Sequence, residues 1–356
     1  MKYYIIEGKP DGEYNASSKA RIDVEKILEK NNIEKYYVNT TYGVQTNKLM
    51  KWKQLLTYRS NLKVWNKELS KLKENDTVFI QYPILNTTSN LEKIIKKYKE
   101  KGITFVAIIH DMDSLRYKPE IQGKMLYARV CEEDKNILKA MDYIIAHNYS
   151  MKNELIKMGN EENKIIELQL FDYLLDKEPK KIERTKNDPI IIAGNLSPEK
   201  AKYLGQLNTL EVPFNLFGVG YVDSMGGDKI FYKGKFKPEE LLDYLEGSFG
   251  LVWDGISLDT CTGGFGEYLK YNNPHKASLY LTAGIPVIVW EQSALARFVK
   301  ENNVGITINS LNELKEKLEK ISEKEYKGML KNTKVISDKT KNGMFLTEAI
   351  NKILEV

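Results

Sequence analysis

The strongest constraint on the fold is a rhythm. Short apolar runs alternate with amphipathic stretches, halt once, and then start again. Tyr3–Ile6, Thr77–Gln81, Thr104–Ile109, Tyr143–Ala146 and Ile165–Leu168 read as strands. Between them, Lys19–Asn31 and Leu91–Lys101 space their apolar residues as a helix does. An apolar strand joined through a helix to the next such strand implies a parallel sheet covered by helices.

The rhythm breaks at the charge-dense stretch Asp176 to Asp188, which ends in Pro189 and reads as a linker. It resumes with strands at Ile190–Ala193, Phe214–Phe217, Gly250–Trp253, Pro286–Trp290 and Gly305–Ile308. Helical patterns lie between and after them at Pro238–Glu246, Lys276–Ala283, Ala294–Glu301 and Leu311–Lys320. The expected fold class is α/β: two Rossmann-like, doubly wound domains facing a cleft, the architecture called GT-B. The expected domains are 1–175 and 189–340, with a C-terminal helix at 341–356 packing back on the first domain. Ligands of such sheets sit at the carboxyl ends of the strands, so the cleft is where chemistry belongs. Periplasmic binding proteins and some epimerases share the outline, so fold alone leaves function open.

Composition narrows the classes. No run approaches the roughly 20 apolar residues of a membrane helix. The apolar start of MKYYIIEGKPDGEY is too short for a signal peptide, and a cytosolic location is expected. Cys131 and Cys261 lie far apart and outside metal-ligand spacing, which argues against a disulfide scaffold or zinc module. The net charge of +5 suits a Lys/Glu-rich solvated surface, and also phosphorylated substrates or an anionic membrane surface. The lysines of Lys93–Lys101 and Lys315–Lys324 alternate with Glu and apolar residues at helical spacing, so no nucleic-acid partner is expected.

The segment Tyr271–Trp290, YNNPHKASLYLTAGIPVIVW, is the most informative. Pro274 suits a first helical turn and Asn272 or Asn273 can cap it. A helix N-terminus with Lys276 in its first turn makes an anion site just before a buried strand. On spacing alone, a surface lysine and a purely structural cap fit equally well. The Gly-rich run Thr262–Gly266 beside Asp254 and Asp259 reads either as a loop wrapping a sugar phosphate or as a mobile linker. Gly218 and Gly220 lack a third glycine and a following helix, and read as a turn.

Within this frame, NPHKASLYLTAGIPVIVW, preceded by FGLVWDG (Phe249–Gly255), resembles the bacterial galactofuranosyltransferase and adhesin-type glucosyltransferase group. IIHDMDSLR (Ile108–Arg116), IIAGNLS (Ile191–Ser197) and NASSKARIDV (Asn15–Val24) extend the resemblance over both domains. It implies transfer of a sugar from a UDP donor without a metal ion, and hence no cofactor. It implies Asn273, His275 and Lys276 as contacts of the donor's diphosphate and sugar, with Tyr232 near the nucleotide. It places Ser18 at the donor phosphates from across the cleft, unless Ser18 only caps its helix. Asn195 and Ser197 follow the first strand of the second domain, where a turn can approach uridine or phosphate. Tyr232 as a core residue and Ser197 as a cap ahead of Pro198 are the plainer alternatives.

His110 and Asp111 end an apolar strand. If configuration inverts, transfer to a hydroxyl needs a base, and Asp111, with His110 second, is the candidate. His147, also at a strand end, reads as structural. Asp111-Met112-Asp113 also spells the D-x-D pattern by which GT-A transferases hold a metal, but a complete second sheet follows residue 189.

The leading expectation is transfer of a sugar, galactofuranose by preference, from a UDP-sugar to a hydroxyl of a glycan, glycolipid or glycoprotein. Glucose transfer to N-acetylglucosamine on a glycoprotein adhesin is the alternative within the class. A nucleotide-sugar epimerase and a non-catalytic sugar-binding module are the readings from other classes. The resemblance further implies homo-oligomers and peripheral work at the cytosolic face of the membrane.

Overall fold

A computed structural model describes residues 1–7, 16–41, 50–85 and 90–355, apart from the side chains of 16–18, 50–55, 121 and 122. The first sheet contains β1 (Lys2–Ile6), β2 (Glu34–Tyr37), β3 (Thr77–Tyr82), β4 (Thr104–Ile109), β5 (Tyr143–Ala146) and β6 (Ile165–Glu167). All pair in parallel, in the order β2-β1-β3-β4-β5-β6. The second contains β7 (Ile190–Asn195), β8 (Phe214–Val219), β9 (Ile230–Gly234), β10 (Gly250–Val252), β11 (Val287–Trp290) and β12 (Gly305–Ile308). It is likewise parallel, in the order β12-β11-β10-β7-β8-β9. In each sheet the first strand lies inside, with the chain winding outward on both sides of it, which creates a switch point at its carboxyl end.

Interior strands such as β4, buried from Phe105 to Ile109, are apolar without alternation because helices cover both faces. The edge strands β2 and β9 lie outside the expected set. Their sequences, EKYY and IFYKG, mix aromatic with charged residues and are mostly exposed, and only pairing with β1 and β8 makes them strands. The helix expected at Pro238–Glu246 stops at Leu241, and turns follow.

The stretch after β6 runs to β7 without regular structure and is pinned on the second domain. Arg184 donates to the Leu245 and Gly247 carbonyls (2.6 and 2.9 Å). Helix Glu323–Lys341 begins with a reciprocal cap between Ser322 and Glu325 and lies against helix His275–Thr282, where Thr340 and Thr282 hydroxyls bond at 2.7 Å. The chain then turns at Gly343, whose φ is +74° and whose missing side chain would meet Ile27 at 2.7 Å. Helix Met344–Leu354 returns to the first domain. Thr347 Oγ1 accepts from Asn31 (3.0 Å), and Ile350 and Ile353 join one buried cluster with Ile27, Phe171 and Tyr280. That cluster draws on both sheets and joins the two domains at the base of the cleft.

Candidate active site

After β7, Asn195 Oδ1 accepts from the Ser197 N–H (2.9 Å), and the Ser197 carbonyl accepts from the Lys200 and Ala201 N–H groups (3.0 and 2.9 Å). The chain turns here rather than entering a helix, so Ser197 is not a helix cap. The turn carries Lys200, which the sequence reading did not single out. Its ammonium lies 5.6 Å from the Phe265 ring centroid and has no ion pair or hydrogen bond among the described residues. Burial, the largest influence, holds it below the ordinary lysine range. Lys276 and Arg116 push the same way, against Asp254 and Asp111.

At the end of β8, Gly218 has φ +146°, and a Cβ there would fall 1.8 Å from the Gly194 carbonyl oxygen. Glycine is what lets these strand ends approach. Beside them Tyr221 and Tyr232 stack, with centroids 4.4 Å apart and planes at 8°. Tyr232 donates to the Gly218 carbonyl (3.0 Å) and is 42% exposed on β9, so it is not a core residue. The pair is a flat aromatic platform next to the Asn195–Ser197 turn.

Lys276 opens helix His275–Thr282. Its Nζ donates to Asp254 Oδ1 (2.8 Å) and to the Trp253 carbonyl (3.0 Å), both just beyond β10. An ammonium has three donors, so one remains for a ligand. Neither asparagine caps the helix: Pro274 holds the cap position without a side-chain bond. Asn273 is committed elsewhere. Its Nδ2 donates to the His147 and Gln169 carbonyls (both 2.8 Å), and its Oδ1 accepts from Asn148 (2.7 Å). Its N–H donates to His147 Nδ1 (3.0 Å). Only the tertiary structure could show this, because the partners are more than a hundred residues away. Asn273 and His147 form a buried seam between the domains.

All three histidines of the chain meet around Phe171. His110 stacks on it (5.6 Å, 10°), His147 meets it edge-on (4.8 Å) and His275 lies tilted at 5.6 Å. Burial keeps each neutral: it pushes His147 down to about 4, His275 to about 3, and His110 well below the ordinary range. Both ring nitrogens of His275 are buried without a hydrogen-bond partner among the described residues. His110 Nε2 lies 2.7 Å from Gln81 Oε1. As donor there, it leaves Nδ1 with the lone pair.

Across from Lys276, Asp111 is paired with Arg116 Nη1 (3.2 Å), while Arg116 Nη2 holds Asp113 (2.5 Å). Burial raises the Asp111 carboxyl above the ordinary range, with Arg116 opposing. The guanidinium thus bridges the two carboxylates of the D-x-D pattern. The Gly-rich run is neither a phosphate loop nor a linker: Gly263–Tyr268 is a short helix docked on the first domain, where Lys118 pairs with Glu267 (2.9 Å). Ser18 lies in helix Ala16–Lys30, with its side chain outside the described residues.

Residues 2–170 match the family described as "Glucosyltransferase 3-like, N-terminal domain", and residues 190–353 match its C-terminal domain. The chain belongs to the glucosyltransferase 3-like family. A beta-1,6-galactofuranosyltransferase of Escherichia coli (strain K12), WbbI, is 32% identical to it over 287 residues, 80% of this chain and 81% of the relative. Glucosyltransferase 3 of Streptococcus gordonii is 25% identical over 284 residues, 79% of this chain and 80% of its own. Two solved structures share the fold at low identity. The apo lipopolysaccharide outer core galactosyltransferase WaaB has a TM-score of 0.59 at 10% identity, covering 100% of this chain and 99% of its own. Anabaena HepE, solved with UDP and glucose, has a TM-score of 0.55 at 13% identity, covering 99% and 98%. This glucosyltransferase 3-like chain is therefore a glycosyltransferase of GT-B fold.

Proposed function

We propose that the protein transfers galactofuranose from a UDP-sugar to a hydroxyl of a glycan acceptor in cell-surface polysaccharide synthesis, without a metal. The observation that carries this reading is the meeting of Lys276, Lys200 and the Arg116–Asp111 pair in one cleft. Lys276, Lys200 and the first N–H groups of helix His275–Thr282 hold the diphosphate, His275 faces the sugar, and Tyr232 on Tyr221 carries the base. Asn195 and Ser197 contact the nucleotide from the β7 turn, and Ser18 reaches the phosphates from the first domain.

In the step itself, the Asp111 carboxylate takes the proton of the acceptor hydroxyl. That oxygen bonds to the anomeric carbon, and the bond from this carbon to the phosphate oxygen breaks with its electron pair leaving on UDP. Burial makes Asp111 a better proton acceptor than a solvated carboxylate. The cationic groups offset the charge that develops on UDP, as a metal does elsewhere. Arg116 already neutralises the D-x-D carboxylates, which supports the metal-free reading.

Galactofuranose is preferred because the galactofuranosyltransferase relative is 32% identical, against 25% for the glucosyltransferase. The same reading has the enzyme working in the cytosol, at the inner membrane face, as a homo-oligomer. No helix among the described residues is long and apolar enough to cross a membrane. A panel of UDP-sugars tests the reading, with UDP release measured with and without EDTA. The expected result is release from UDP-galactofuranose, dependent on acceptor and unchanged by EDTA. Flat signals for every donor reject the reading, and release only from UDP-glucose moves it to the alternative sugar.

A further inference from the structure

The helix Gly263–Tyr268 belongs to the second domain but touches both sides of the cleft. On its own side it packs on the loop after β10, because Gly266 leaves room: a Cβ there would lie 2.8 Å from the Asp254 carbonyl oxygen and 2.7 Å from Cys261. On the other side Tyr268, buried, reaches the first domain. Its hydroxyl accepts from the Met112 N–H at 2.8 Å. A phenol that accepts one hydrogen bond still has its own proton to give. The acceptor in reach is the carboxylate of the preceding residue, Asp111.

We infer that Tyr268 is a positioning residue for Asp111, supplied by the nucleotide-side domain so that the carboxylate is fully oriented only when the two domains are closed. The inference rests on the reading of Asp111 as the base. Arg116 pairs with that carboxylate from its own domain. Tyr268, from the other, holds the N–H of the next residue, Met112, with the carboxylate in reach of its hydroxyl proton. Opening the cleft keeps the first and removes the second. The base is then aligned only after the donor's domain has arrived, which guards the donor against water in the open form. Arg116, Asp113, Arg21 and Lys200 are the other charged groups that face Asp111. Burial keeps the Tyr268 hydroxyl protonated far above neutral pH, so it remains a donor throughout the working range.

Tyr268→Phe in the full-length enzyme tests this. The expected result is a loss of kcat of about tenfold or more, by the cost of misaligning a catalytic group, with donor KM changed less than about threefold. Removing a donor from a carboxylate makes it more basic, so the acid limb of the kcat profile moves to higher pH. Tyr268→Gln, which restores a donor, recovers part of the rate. Glu267→Gln breaks the neighbouring Lys118 contact and moves neither kcat nor the limb. Wild-type kcat and an unmoved limb in Tyr268→Phe, with Asp111→Asn inactive, overturn the inference alone. Full turnover in Asp111→Asn overturns the base reading, and this inference with it.

Discussion

Lys276 Nζ stands 2.8 Å from Asp254 Oδ1, and this carboxylate is its counter-ion at the mouth of helix His275–Thr282. Lys200, in the same cleft and under the influence of both charges, has no such partner among the described residues. The two lysines therefore differ in what their loss does to the free protein. Lys276→Met strands a largely buried carboxylate and is expected to cost about 2 kcal/mol of stability. Lys200→Met relieves a desolvated ammonium and leaves stability unchanged or slightly higher. Both weaken UDP binding about tenfold, the scale of one charge-assisted hydrogen bond. Thermal melts and UDP titration calorimetry check the contrast; equal stability losses would remove the basis for it.

Asp111→Asn is expected to lower kcat by about a hundredfold to ten-thousandfold, the usual share of general-base catalysis. UDP affinity stays within about threefold. Because burial raises the Asp111 carboxyl, the acid limb of wild-type kcat lies above the pH at which a solvated aspartate titrates. A limb at or below that range contradicts the assignment.

Asn273→Ala tests the seam. Its side chain spends three hydrogen bonds on His147, Gln169 and Asn148. The substitution removes these three bonds between the domains. The His147 carbonyl keeps the Gln169 N–H and the Asn148 amide keeps the Tyr271 carbonyl. The Gln169 carbonyl loses its donor, and a loss of about 2 kcal/mol is expected. Denaturant unfolding measures it. A near-neutral result, with weakened UDP binding instead, would return Asn273 to the donor site.

Asp172 sets a pH dependence of stability. Its carboxylate accepts from the Phe345 and Leu346 N–H groups (3.2 and 2.8 Å) and so caps helix Met344–Leu354. Burial pushes its carboxyl up to about 7, from an ordinary 3.8. A raised folded-state value means the folded protein holds the proton more tightly. The contribution is present in full below about pH 4 and is lost as pH rises through about 7. Asp172→Asn keeps an acceptor for the cap and removes the titration, so stability becomes flatter between these limits. Unfolding at a series of pH values checks it, and an unchanged slope counts against it.

The legibility of this chain follows its burial. Strands such as β4 and β11 are apolar throughout because both faces are covered, so their positions stand out in the sequence. The edge strands β2 and β9 carry no such mark. Asp111 and Lys276 were visible because they sit where a strand ends and a helix begins. Lys200 was not: one lysine in a lysine-rich surface looks like any other until tertiary packing carries it into the cleft. The glycines of Gly263–Gly266 signalled a special backbone, but not that it is a helix pressed against the opposite domain.

The sequence by itself determined the two doubly wound halves and the polar break between them, because periodicity and chain punctuation are local properties. What lies across the cleft from what was decided by tertiary structure alone. The pairing of Asn273 with His147, of Tyr268 with Met112, and the gathering of three histidines on Phe171 join residues far apart in the chain. Such contacts depend on how the buried faces of two sheets and the returning C-terminal helix fit together, and no local pattern encodes that fit.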